Sequence, residues 1–423
     1  MKIMLLSTIF PYPVDVGKKV VLSGLIRFFC ERVGEENFYL ICPNTDTPAF
    51  ASAKFRKYTY AMPSEATRIV SVIKYGFLLR SKSIQESIFF SNRIKSKLQQ
   101  AINDVQPDLV VFDTVRMGQY LPHLDLGNAA HVLYLDDLFS VRYEVMLQAT
   151  KNNPSLKFNA LGNFEKNIPG FLRPYVKKIS RLQSILLSIE SKKIRHSEIQ
   201  QSRRFPLSLL INKAEARMLR QWSGSRVEVL PPLLSTPERA YARTWSGSAV
   251  FVFLGGLDVP HNAVSIENFV EQQLPKIVQA IPDVLIRIIG KNPSSRLVEL
   301  VAKNSRYVVI EGYVENLGEV LNAACAMLVP LLFGSGVKLK TIDAMAFGIP
   351  ILSSDYGVEG VDAPDDETTF IRENDLQRYS AHMKNLLEPE YNSRLSHASF
   401  DFYSLHYAEA VVKHLYTDIF AIR

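Results

Sequence analysis

The sequence predicts an α/β protein with two parallel-sheet domains. Its 423 residues exceed what one ordinary core holds. Apolar runs of four to six residues alternate with helical segments in both halves, the pattern of strands buried on both faces. The paired prolines of Leu230-Pro-Pro-Leu-Leu-Ser-Thr-Pro237 mark an extended linker between the halves.

In the first half, Lys2–Ser7 reads as a strand, Lys18–Arg32 as a helix and Phe38–Cys42 as a strand. Leu109–Asp113 and His131–Leu135 are further strands. Phe205–Ile211 is another, with Asn212 placed to cap a helix over Lys213–Trp222. Between them, Val141–Arg204 predicts a basic, mostly helical insert in which Ile179, Leu182, Ile185, Leu186 and Ile189 line one face at helical spacing. The second half reads as strand Val250–Leu254, helix Val264–Ala280, strand Val284–Ile289, helix Arg296–Lys303 and strand Tyr307–Ile310. Helix Leu317–Ala324, a strand over Ala326–Leu331, a helix through Phe347 and strand Ile349–Ser353 follow. Each half is therefore Rossmann-like. The expected domains are 1–232 and 233–402, with an amphipathic helix over Tyr403–Ile422 packing back on the first.

Composition narrows the class. Hydrophobic residues make up 47% and charged residues 22%, as in a soluble globular protein. No apolar run reaches the roughly 20 residues that span a bilayer. The opening Met1–Phe10 reads as a first strand, since Pro11 and Pro13 break the run and no small-residue cleavage site follows. Cys30, Cys42 and Cys325 are odd in number and widely spaced, which fits buried thiols in a reducing cytoplasm. Residues 151–204 hold twelve Lys and Arg against Glu165, Glu190 and Glu198, a surplus of nine; residues 54–97 are similarly biased. Such a face suits an anionic partner: membrane phospholipid, a lipid diphosphate or nucleic acid. Nucleic acid is disfavoured, because aromatic residues are not interleaved as stacking platforms require.

The most informative stretch is Leu328–Pro350, where a buried strand runs through Gly334-Ser335-Gly336 into a helix carrying Lys338, Lys340 and Asp343. A glycine-rich strand-to-helix turn offers bare N–H groups to phosphate. The two lysines are two apart, so one of them, Lys338 or Lys340, reaches phosphate and the other is solvated, while Asp343, two turns along, can meet a ribose hydroxyl pair. After the strand ending at Leu135, Asp136-Asp137 are candidates to face a reacting centre, and the alternative for Asp137 is capping the next helix.

These residues resemble the GT-B glycosyltransferases, and within them the retaining family 4. The resemblance rests on Gly255-Gly-Leu-Asp258-Val-Pro-His-Asn262, Glu311-Gly-Tyr-Val314, Gly334-Ser-Gly336, Lys340, Asp343-Ala-Met-Ala346, Gly348 and Pro350, with Phe10–Gly17 similar to the family's N-terminal glycine loop. It implies two domains facing a cleft and a nucleotide-diphosphate sugar as donor. It also implies retention and transfer without a cofactor or bound metal. Gly17, Gly255, Gly334, Ser335, Gly336, Lys338 and Lys340 would then serve the diphosphate and sugar, Asp343 the ribose, and Tyr313 and Val314 the base. Asp136 or Asp137 would be catalytic, and the acceptor a glycan, lipid-linked saccharide or polysaccharide. Three positions depart from the family. Ser335 and Asp343 stand where it carries two glutamates, Gly256 and His261 where it carries a basic pair, and Asp136 where it often carries a histidine. Two other classes fit the same residues: a nucleotide-sugar epimerase, and a non-catalytic subunit that binds a nucleotide sugar.

Overall fold

The computed structural model describes residues 1–79, 81–152, 180–235, 243–314, 316–363 and 368–422. They form two compact units that change over between Leu234 and Ser235; residues 148–152 group with the second, and the chain from Lys413 returns to the first.

The first unit holds a seven-stranded sheet of β1 (Ile3–Leu6), β2 (Phe38–Pro43), β3 (Arg56–Tyr60), β4 (Leu109–Asp113), β5 (Ala130–Asp136), β6 (Ser208–Leu210) and β7 (Val227–Val229). Its order is β3-β2-β1-β4-β5-β6-β7, and every pairing is parallel. The second unit holds β8 (Val250–Leu254), β9 (Leu285–Ile289), β10 (Val308–Gly312), β11 (Ala326–Val329), β12 (Ile351–Ser353) and β13 (Ile371–Arg372). These run β10-β9-β8-β11-β12-β13, again all parallel. β1, β4 and β11 are buried along their whole length, as central strands between helical layers must be. In each sheet the winding reverses beside the first strand, between β1 and β4 and between β8 and β11. Chains leaving those paired carboxyl ends diverge and open a crevice, where ligands of such sheets bind.

Three strands escape an apolar-run reading. β3, with sequence Arg-Lys-Tyr-Thr-Tyr, is a partly exposed edge; β7 and β13 are only three and two residues long. The strand expected over Phe205–Ile211 shortens to β6, and Asn212 caps the next helix by accepting from Ala214 and Glu215. The single helix expected over Tyr403–Ile422 is instead two, Pro389–His406 and Glu409–Phe420. They part where the N–H groups of Tyr407 and Ala408 both turn back to the Tyr403 carbonyl. The last helix then packs on Gly17–Val33. Phe28 meets Tyr416 edge-on at 5.1 Å and Phe29 meets Phe420 at 4.9 Å. Lys413 pairs with Glu31 at 2.5 Å, and the Tyr416 hydroxyl donates to the Pro231 carbonyl at 2.7 Å.

The basic stretch over Val141–Arg204 contributes helices Phe139–Asn152 and Ser180–Arg204; Ile179 and the side chain of Leu182 lie outside what the structure describes. The apolar face expected along the second helix does not point inward. Ile185 and Ile189 are exposed, and the buried side is Leu187, Glu190, Ile194, Ser197, Glu198 and Gln201. Counting apolar residues misplaces the face because the polar ones are satisfied there. Glu190 accepts from the Ile84 and Gln85 N–H groups at 2.7 and 2.9 Å, at the start of helix Ile84–Phe89. Glu198 accepts from the Ser140 hydroxyl at 2.5 Å and the Ser140 N–H at 3.3 Å, and Gln201 donates to Glu86 at 2.8 Å. Helix N-termini favour carboxylates, yet burial dominates and pushes Glu190 up to about 7 and Glu198 to about 8.

Both groups hold their protons more tightly folded than unfolded. Their stabilisation is therefore fully present below about pH 4.5 and is lost as pH rises through about 7 and 8. Thermal unfolding at steps between about pH 5 and pH 9 is expected to show Tm falling with pH. Glu198→Gln, which keeps the shape without the charge, flattens the upper part of that fall; an unchanged slope in this variant removes Glu198 as its source.

Candidate active site

The first unit gathers a line of charges at the carboxyl ends of β1, β4 and β5. Asp113, the last residue of β4, is fully buried; it accepts from the Ser7 hydroxyl at 2.8 Å and from Lys18 Nζ at 2.6 Å. Lys18 also stands 3.4 Å from Asp136 Oδ2 and 4.9 Å from the Tyr134 ring centre. Asp137 turns the other way and pairs with Arg142. Asp137 does not cap the next helix: the Leu138 N–H donates to Glu215 and the Ser140 N–H to Glu198.

The backbone is bent to achieve this. Thr114, after Asp113, has φ 65°, and Asp136 itself has φ 70°. Left-handed backbone at such residues costs on the order of 1 kcal/mol and persists where the surroundings enforce it. Around Asp136 they do: the β5–β6 register slips between Tyr134 and Asp136, and the Ile211 N–H holds the Asp136 carbonyl at 3.0 Å. A bulge of this kind re-aims a side chain.

Electrostatics separates the two carboxylates that flank Lys18. Burial works against the Lys18 ammonium, but Asp113 and Asp136 outweigh it and hold its pKa above the ordinary value. Asp136 is pushed up to about 6, burial outweighing the pull of Lys18, with Asp137 adding to the rise. The Asp136 side chain keeps 15% exposure and that of Asp113 none, so Asp136 is the one a ligand can touch. Gly17, exposed, opens helix Gly17–Val33; Val16 before it offers no side-chain cap, and the first turn holds no acidic residue.

The second unit builds its site on glycines where β8 and β11 end. A methyl on Gly290 would meet the Gly255 carbonyl oxygen at 2.0 Å, and one on Gly255 would meet Asn262 Nδ2 at 2.7 Å. The loop after β8 is thus pressed between β9 and the helix Pro260–Ala280. Buried Asn262 donates to the Gly256 carbonyl at 3.1 Å and accepts from Lys340 Nζ at 2.8 Å. The Lys340 ammonium also lies 4.6 Å from the Phe253 ring centre. It makes no ion pair among the described residues, and burial, with Lys338 nearby, lowers its pKa to about 7.

Lys338 departs from expectation. It precedes the helix Leu339–Ala346 rather than riding on it, and it is buried rather than solvated. Its ammonium donates to the carbonyls of Ser335 and Gly336 at 3.1 and 2.7 Å and stands 3.7 Å from Glu359. Lys338 therefore braces the Gly334-Ser-Gly336 turn, whose Gly336 has φ 77°. His261, at a position where the resembled family carries one of a basic pair, lies within about 4 Å of where a Gly334 methyl would stand. Asp343, half-buried and pushed by burial up to about 7, has no side-chain partner among the described residues. Tyr313 is 71% exposed with Lys291 at 4.3 Å from its ring centre, and Val314 beside it is half-buried.

Within its own unit, each sheet brings its candidates together. In the first, Asp136 was expected, while Ser7, Lys18, Asp113 and Arg142 were not singled out. Lys18 lies 95 residues from Asp113 in sequence, and only the β1–β4 pairing makes them neighbours. In the second, Gly255, Gly334, Ser335, Gly336, Lys338, Lys340 and Asp343 lie on the loops and helix after β8 and β11; Tyr313 and Val314 follow β10.

Comparison with known proteins agrees with this geometry. Residues 248–389 match the family described as glycosyl transferases group 1. A Klebsiella pneumoniae protein described as an uncharacterised 44.6 kDa protein in the cps region is 27% identical over 139 residues, which is 31% of this chain. The match spans 36% of that relative, about a third of its length. Among solved structures, sucrose-phosphate synthase from Thermosynechococcus elongatus superposes with TM-score 0.66 at 14% identity, covering 100% of both chains. HepE from Anabaena in complex with UDP gives 0.66 at 10% identity, again over 100% of both. WaaG, a glycosyltransferase involved in lipopolysaccharide biosynthesis, gives 0.56 at 11% over 99% of each. Residues 248–389 thus resemble glycosyl transferases group 1, on a chain with the GT-B fold.

Proposed function

We propose that the protein is a hexosyltransferase that moves a sugar from a nucleotide-diphosphate donor to a glycan, lipid-linked or polysaccharide acceptor with retention of configuration. One observation carries the donor assignment: Lys340, half-buried and without an ion pair among the described residues, is held by Asn262 beside the Gly334-Ser-Gly336 turn. A lysine in that state gains a partner when a diphosphate arrives. The UDP complex of HepE supports this class of donor.

The reaction follows from what each unit offers. In the second, turn N–H groups and Lys340 take up the charge growing on the leaving diphosphate. Asp343 accepts from ribose hydroxyls, and Tyr313 and Val314 flank the base. In the first, Gly17 serves the phosphates, and Asp136, ionised beside Lys18, stabilises positive charge at the sugar carbon or orients the acceptor hydroxyl. With no nucleophile assigned, the leaving phosphate takes the acceptor proton on the face it vacates, and the chain requires neither metal nor cofactor. A relative in a cps region and a structural neighbour from lipopolysaccharide biosynthesis support a surface polysaccharide or its lipid-linked precursor as acceptor. The protein then works in the cytoplasm, peripherally at the inner face of the membrane, where the basic residues 151–204 suit anionic lipid.

Calorimetric titration with UDP, GDP, dTDP, CDP and ADP tests the donor site. One is expected to bind, and Lys340→Met to weaken it at least about tenfold. Affinity is greatest near pH 7: above it free Lys340 loses its proton, and below it Asp343 gains one. Lys340→Met removes the alkaline limb and Asp343→Asn the acidic one. Binding of none of the five by the folded protein would sink the reading, and binding without turnover of the matching sugar donors would favour the non-catalytic subunit.

A further inference from the structure

We infer that the first unit docks on an anionic lipid surface through the π-helical turn Val72–Leu78 and the outer side of helix Ser180–Arg204. This rests on the proposed membrane location and not on sugar transfer. Val70, Ile73, Leu78, Leu79, Ile185 and Ile189 are between 38% and 75% exposed. They are six of the fourteen exposed large apolar side chains among the described residues, and scattered single ones would need no explanation.

Two contacts draw the two segments together. Lys193 donates to the Gly76 carbonyl, and Glu190 accepts from the Ile84 and Gln85 N–H groups. Gly76 and Ile84, on either side of Leu78 and Leu79, therefore border the helix on which Ile189 and Ile185 stand one and two turns before Lys193. The helix Glu65–Ser71, with Val70 near its end, runs directly into the turn.

Charge selects the occupant. Arg68, Lys74, Lys192 and Lys193 flank the apolar side chains, while Glu86 and Glu190 are turned inward and buried. Glu65, at the far end of the segment, is the one exposed carboxylate over residues 65–79. Apolar side chains that enter the acyl boundary, ringed by cations at headgroup level, are the signature of interfacial binding to anionic lipid. The core of a protein-binding patch is depleted of charge, whereas here Lys74 and Lys192 stand exposed among the apolar side chains.

Co-sedimentation with phosphatidylglycerol–phosphatidylcholine vesicles tests this, with pure phosphatidylcholine vesicles as the reference. Wild type is expected to bind the anionic vesicles and to be released by salt. Leu78→Ser with Leu79→Ser should weaken binding at least about tenfold, and Lys74→Gln with Lys192→Gln should weaken it and flatten the salt dependence. All four side chains are exposed, so unfolding temperature and nucleotide affinity should match wild type. Absent vesicle binding, or binding unchanged in the serine variant, overturns the inference. So does a lipid-free dimer that this variant dissociates, which would assign the face to a second copy. Nucleotide binding measured in the same samples distinguishes failure of the docking surface from failure of the donor site.

Discussion

Lys18→Met is expected to lower transfer at least about 100-fold while nucleotide affinity stays near wild type. The substitution leaves the buried Asp113 carboxylate with only the Ser7 hydroxyl and deprives Asp136 of its cation. Removing one partner of a buried pair typically costs about 3–5 kcal/mol, so Tm should drop as well. The loss is smaller at low pH, because Asp136, already raised, then protonates. A double variant separates stability from chemistry. Adding Asp113→Asn removes the orphaned charge and should restore much of the stability, while turnover stays low because Asp136 still lacks its cation. Turnover of folded Lys18→Met within about threefold of wild type would remove Lys18 from the site.

Gly290→Ala is expected to cost about 1–3 kcal/mol and at least about tenfold in nucleotide affinity. Its methyl would meet backbone rather than a side-chain tip: the Gly255 oxygen at 2.0 Å and carbon at 3.0 Å. Backbone cannot rotate aside, so the loop after β8 must move. Asn262, which grips that loop at Gly256 and Lys340 across it, moves with it. Gly256→Ala is the control, since its nearest contact would be Asp258 Oδ1 at 3.2 Å. Nucleotide titration and thermal unfolding of both variants read the effect, and equal affinity for the two would mean the loop does not position Lys340.

The strands legible in the sequence are those that bury both faces. β1, β4, β8 and β11 announce themselves as apolar runs because nothing polar survives between two helical layers. β3 does not, since an edge strand faces solvent and reads as Arg-Lys-Tyr-Thr-Tyr. The candidate donor-site residues are visible for a related reason: Gly334, Gly336, Lys340 and Asp343 sit on one continuous strand–turn–helix, so local spacing carries their geometry. Asp113 and Lys18 are joined only through strand order, and a short apolar run ending in aspartate carries no mark of the lysine 95 residues earlier. The helix Ser180–Arg204 misled for the opposite reason. Its inward face is polar, and a hydrophobic pattern cannot signal carboxylates whose partners are the backbone N–H groups of other helices.

That helix limits how the gene can be cut. A basic stretch between two strands invites excision to give a leaner catalyst, yet Glu190 and Glu198 close the amino ends of two other helices and Gln201 reaches Glu86. Trimming it would strip those ends of their acceptors and unseat segments 58 to 115 residues away along the chain. The stretch is a keystone, and shortened versions of this protein must keep Glu190 to Gln201 or supply acceptors in their place.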